Sequence, residues 1–109
     1  MKHLAVRLVL FTVACVASVI VSAQAGPRVK DVYEVGPSVY VRALAVEPSR
    51  GALWVGTSSG VHEVDLASGK LRNTFTRKEG LANEYVFAVG LDRQGHKWFG
   101  TNAGGVSRY

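Results

Sequence analysis

Few side chains in this sequence have the chemistry to suggest a reaction. Beyond residue 25 the histidines are His62 and His96. An imidazole can shuttle a proton or hold a metal, but neither ring has a second His or Cys at ligand spacing, so no metal site is expected. Glu79 and Glu84 bracket a short loop. Two carboxylates can share acid and base duties, yet a polar connector between strands explains the pair more simply. No Gly-x-Ser-x-Gly or phosphate-loop signature is present, and no catalytic residue or cofactor is assigned. Trp54 and Trp98 have the rings to stack on a sugar. Each stands beside a glycine in an apolar stretch, which points to packing instead.

The two tryptophans belong to a repeat, and the repeat defines the elements. Trp54-Val55-Gly56-Thr57 recurs as Trp98-Phe99-Gly100-Thr101, and the apolar runs before them, Val41–Val46 and Tyr85–Leu91, also correspond. Trp54, Gly56, Thr57, Trp98, Gly100 and Thr101 are therefore read as structural, with the threonine hydroxyls tying down turns. The near-continuous runs read as strands covered on both faces. Leu53–Thr57 and Lys97–Thr101 are second strands, and Val61–Leu66 and Gly105–Tyr109 third strands. Leu71–Thr76 alternates, with Leu71, Asn73 and Phe75 on one side and Arg72, Thr74 and Thr76 on the other, as an outer strand facing water would. Four short antiparallel strands in roughly 44 residues is the length of a β-propeller blade. The fold class expected is all-β, with two blades in an incomplete ring.

The first 25 residues read differently. Lys2, His3 and Arg7 precede an uncharged run from Leu8 to Val21, and Ala23-Gln24-Ala25 follows. That is the layout of a helical signal peptide cleaved between Ala25 and Gly26. The run is too short for a bilayer span, and Cys15 lacks a full lipobox around it. Export to the periplasm or the extracellular space is expected, with no membrane contact beyond the signal peptide or a missing downstream segment. The remaining 84 residues keep 11 of the 13 basic residues and all 8 acidic ones, a formal charge of +3 with no like-charge block. Nothing there suggests nucleic-acid binding. The single Cys excludes a disulfide framework.

Gly80-Leu81-Ala82-Asn83-Glu84-Tyr85-Val86, Asp92-Arg93-Gln94-Gly95, Trp98-Phe99-Gly100-Thr101 and Gly104-Gly105-Val106 resemble the two-component regulator propeller repeat. The first copy departs from it: Gly36-Pro37-Ser38 replaces the opening, Glu47-Pro48 the aspartate, and Gly60 stands alone. The resemblance implies an extracytoplasmic propeller that senses a small molecule or glycan ahead of a kinase. Some relatives of similar repeat type are lyases or carbohydrate-associated proteins, so a lyase-type or glycan-processing propeller is the alternative. In a propeller, ligands bind loops at one mouth, which singles out Tyr40, Asn83 and Tyr85.

The resulting division is a signal peptide at 1–25 and a partial propeller at 26–109. The latter comprises an outer strand 29–35, a blade 41–76 and an incomplete blade 85–109. Two copies cannot close a ring. Further blades are expected from a longer parent or, as the second choice, from other copies that each receive the strand Val29–Val35.

Overall fold

The structure, a computed structural model, describes residues 26–109. The expected signal segment and its Ala25 lie outside the described residues. Among the described residues seven strands alternate with tight turns: β1 Val41–Glu47, β2 Ala52–Thr57, β3 Gly60–Asp65, β4 Leu71–Phe75, β5 Val86–Leu91, β6 Lys97–Thr101 and β7 Gly105–Arg108. They form two antiparallel meanders, β1-β2-β3-β4 and β5-β6-β7. Single 3-10 turns occupy Pro48–Arg50 and Arg77–Glu79. The described residues contain no helix long and apolar enough to cross a membrane.

Pairing register assigns the side chains to faces, because directly opposed residues project to the same side. On one face of the first sheet lie the rows Ala43-Gly56-Val61-Phe75 and Ala45-Trp54-Glu63-Asn73. The other face carries Leu44-Val55-His62-Thr74 and Val46-Leu53-Val64-Leu71. In the second sheet, Val89 and Phe99 share a face with Leu91 and Lys97, while Ala88-Gly100-Val106 and Gly90-Trp98-Arg108 line the reverse.

The core lies between the Trp54 face of the first sheet and the Phe99 face of the second. Ala52, Trp54, Val61, Leu81, Val86 and Phe99 are buried there, with Ala45, Phe75, Val89 and Leu91 packed around them. The Trp54 ring centroid is 5.9 Å from Phe75, 6.1 Å from Phe99 and 5.8 Å from Tyr109, all tilted. Such offset ring pairs add about 0.5–1.5 kcal/mol each beyond burial. Gly56 makes the close approach possible: a Cβ there would lie 2.9 Å from Val86 Cγ1 and 3.0 Å from Val89 Cγ2.

The two sheets stand side by side with β1 and β5 running the same way. Gly56, beside the start of β1, touches Val86 at the start of β5. At the far end Glu47, the last residue of β1, meets Lys97, which pairs with Leu91 at the end of β5. The Glu47 carboxylate accepts from Lys97 Nζ at 3.0 Å and from Trp54 Nε1 at 3.1 Å.

Three features differ from the sequence reading. Val29–Val35 forms no strand; Tyr33 instead donates its hydroxyl to Leu66 O at the β3–β4 turn. In β4 a register shift opposite Glu63 and Val64 leaves Arg72 as an extra residue. Leu71 therefore joins Val64 on one face while Asn73 and Phe75 stay on the other. Arg72 swings toward Glu63 and Asp65, which supply the anionic partners that a plain alternation would have denied it. β1 is not covered on both faces, since Leu44 and Val46 are exposed; no element among the described residues packs on that side of it.

Candidate functional site

The residues singled out for ligand contact gather where β1 and β5 begin. Tyr40 immediately precedes β1 and Tyr85 immediately precedes β5. The Tyr40 carbonyl accepts from Ser58 N at 3.0 Å, and the Tyr85 carbonyl accepts from Asn102 N at 2.9 Å. These are equivalent bonds, each clamping the start of a first strand to the turn after its second. Gly60 N donates to Glu84 O at 2.7 Å, which joins the β2–β3 turn to the lead-in of β5. With their backbones held, both tyrosine side chains remain exposed. Asn83 serves the loop first: its Oδ1 accepts from Tyr85 N at 2.9 Å.

Two further residues belong to this cluster and were not singled out from the sequence. The pairing shifts between Val41 and Ala43 and again between Val86 and Ala88. Each sheet thus carries a bulge at the same place, leaving Arg42 and Phe87 out of the ladder. A bulge re-aims the side chain it frees. Here the two meet: Arg42 Cζ lies 4.7 Å from the Phe87 ring centroid. Arg42 makes no ion pair among the described residues. A guanidinium laid on a ring keeps its edge N–H groups available for a carboxylate, sulfate or hydroxyl. Tyr40, Tyr85 and Phe87 offer flat apolar faces beside it. The signal in the sequence was Arg42 itself, the one charge in an otherwise apolar run.

The remaining chemical candidates have structural employment. His62 is buried, its ring nitrogens 3.3 Å from Thr57 Oγ1 and 3.2 Å from Thr74 Oγ1. Burial lowers its pKa, so the imidazole is neutral at pH 7. His96 donates its backbone N–H to Asp92 Oδ1. Glu79 caps the Arg77–Glu79 turn, accepting from Thr76 N at 2.7 Å and Thr76 Oγ1 at 2.8 Å. Those bonds, the backbone one foremost, hold its carboxyl below the usual range. Glu84 Oε1 faces Arg77 N at 3.5 Å. Thr57 and Thr101 donate their hydroxyls to Gly60 O and Gly105 O at 2.9 and 2.8 Å.

The tryptophans share one bonding scheme in unequal surroundings. Trp54 Nε1 donates to Glu47 and Trp98 Nε1 to Asp92, the acidic residue ending the first strand of each sheet or just after it. Trp54 is 0% exposed and Trp98 40%. The second sheet covers the first ring; among the described residues no sheet covers the second.

No family model matches the chain, and no curated protein matches it. Among solved structures the chain is similar to the extracellular domain of a protein described as a hybrid two-component system from B. thetaiotaomicron. The identity is 29% and the TM-score 0.64, over 72% of this chain and 11% of that one.

Proposed function

We propose that the chain is part of an exported, non-enzymatic sensing or interaction module of β-propeller type that serves a two-component system. The observation that carries this reading is the similarity, at 29% identity over 72% of the chain, to an extracellular domain of such a system. The repeated Trp–acid bonds and the repeated bulges support a propeller, since two sheets built alike and laid side by side can be continued by the same step. Tyr40, Tyr85, Phe87 and Arg42 are the residues that would meet a small-molecule or glycan ligand, with Asn83 shaping the loop beneath Tyr85. Exposed aromatic planes beside a cation that has no ion pair among the described residues suit a sugar with polar or acidic substituents.

Two measurements test the reading. Alkaline phosphatase fused after Tyr109 should be active in a bacterial host, and should lose that activity when residues 1–25 are deleted. Titration of the full chain with mono- and disaccharides, followed by intrinsic fluorescence, should find a binder. Its affinity should fall at least tenfold in Tyr40→Ala and in Tyr85→Ala. A cytoplasmic fusion, or binding indifferent to both substitutions, would overturn the proposal.

A further inference from the structure

Side-by-side packing leaves one face of the second sheet open and, on the reverse of the first sheet, the β1 strip, while Val55, His62 and Val64 of that same reverse face are buried. The first sheet spends its Trp54 face on the second; the second spends its Phe99 face on the first. The surfaces left open are the Trp98 face of the second sheet and the Leu44–Val46 strip of β1. Position by position, the Trp98 face copies the one already buried. Trp98 corresponds to Trp54, Val106 to Val61, Gly100 to Gly56 and Ala88 to Ala43. Val61 is 0% exposed and Val106 66%. A Cβ on Gly56 would strike the neighbouring sheet, whereas one on Gly100 meets nothing closer than Ala88 of its own sheet, at 3.2 Å.

The open β1 strip copies the counterpart. Leu44 and Val46, both exposed, correspond to Val89 and Leu91, which pack into the core between the sheets. The molecule therefore displays the Trp98 face and the first-strand part of the surface that such a face meets in the interface it already contains. β7 also ends the second sheet with no strand beyond it among the described residues. A small cleft lined by Phe75, Leu81, Phe99, Ser107 and Tyr109 lies beside it.

We propose that the Trp98 face of the second sheet seats the exposed β1 strip, Leu44 and Val46, of a second copy of this chain, head to tail, continuing the internal packing across molecules. The occupant is argued from that continuity: the surface a Trp98-type face accepts in this fold is a first strand with Leu44-type residues, and the chain supplies one. The contact is heterologous, so it closes where the rotation per sheet divides the circle. Rings of four to eight sheets correspond to two to four copies. The inference rests on the propeller reading of the sheets but not on any ligand.

Sedimentation velocity on the purified full chain tests it, with Trp98→Asp and Leu44→Asp variants. The wild type should run as a discrete species of two to four copies. Each variant should be monomeric by itself, and an equimolar mixture should yield a 1:1 dimer, because each partner retains the face the other has lost. Acrylamide quenching adds a second readout: one indole should become accessible on dissociation while Trp54 stays protected. Val106→Asp should repeat the Trp98→Asp result should that variant misfold. A monomeric wild type, an oligomer that survives Trp98→Asp and Val106→Asp, or variants that do not pair would overturn the proposal. Saccharide binding by a monomer would leave the sensing reading standing while this one fell.

Discussion

Glu63 shows how a single buried residue organises one end of the first sheet. Its side chain is fully buried, yet it accepts from Arg50 Nε, from Asn73 Nδ2 at 2.8 Å and from Arg72 Nη1 at 3.3 Å. Burial by itself would raise this carboxyl; the three donors outweigh it and hold the pKa below the ordinary 4.5. Asp65, two residues further along the strand, accepts from Ser68 N, Arg72 and Ala67 N, which together lower it from 3.8 to about 2. Both folded values lie below the unfolded ones, so the unfolded chain binds more protons in the window between them. The stabilisation is complete above about pH 4.5 and is lost as pH falls toward 2. Urea midpoints taken from pH 7 to pH 2 should therefore drop steeply below about pH 4. Asp65→Asn should flatten the part of that slope between pH 4 and 2; an unchanged slope would remove Asp65 from the account.

At the scale of strands, the decisive residue is the one without a side chain. Gly56→Ala forces a methyl group against Val86 and Val89 of the facing sheet, and should cost about 1–3 kcal/mol as overpacking does. Gly100→Ala, at the same repeat position, presses only on Ala88 within its own sheet and should cost less in the isolated molecule. Thermal unfolding of the two variants in dilute solution gives the comparison; equal losses would contradict it. The strands were legible in the sequence because Trp-x-Gly-Thr and the glycine turns recur at matching distances. β4 was read with its sides out of step because a bulge has no signature in a five-residue strand. Strict alternation put Leu71 with Phe75, but Arg72 is drawn to Glu63 and Asp65, and one extra residue turns Leu71 over. Val29–Val35 has strand-like composition but no neighbouring strand to pair with among the described residues, and composition alone supplies no hydrogen-bond partners.

For the molecule as a whole, the two sheets are joined by a buried aromatic cluster and, among the described residues, one ion pair between them. Glu47 and Lys97 meet at 3.0 Å, both largely buried, and the Lys97 ammonium lies 5.3 Å from the Trp54 ring centroid. Such a pair couples the sheets only if removing one partner leaves the other stranded. A double-mutant cycle on Glu47→Gln and Lys97→Met should show a coupling of about 1–2 kcal/mol, the double variant losing less than the two single losses added together. Additive losses would mean the sheets are held by the rings alone. Of the candidate site, the sequence offered Tyr40, Asn83 and Tyr85 as polar or aromatic residues of loops at one mouth, with Tyr85 read as the first residue of its strand. The contact between Arg42 and Phe87 was hidden, because it depends on bulges in both sheets and on how closely the sheets approach. Those same bulges have a consequence for solubility. A regular outer strand offers an unbroken row of backbone donors and acceptors on which foreign strands can grow. β1 and β5 are each interrupted one residue in, at Arg42 and Phe87, and a ladder broken there is a poor template for fibrils.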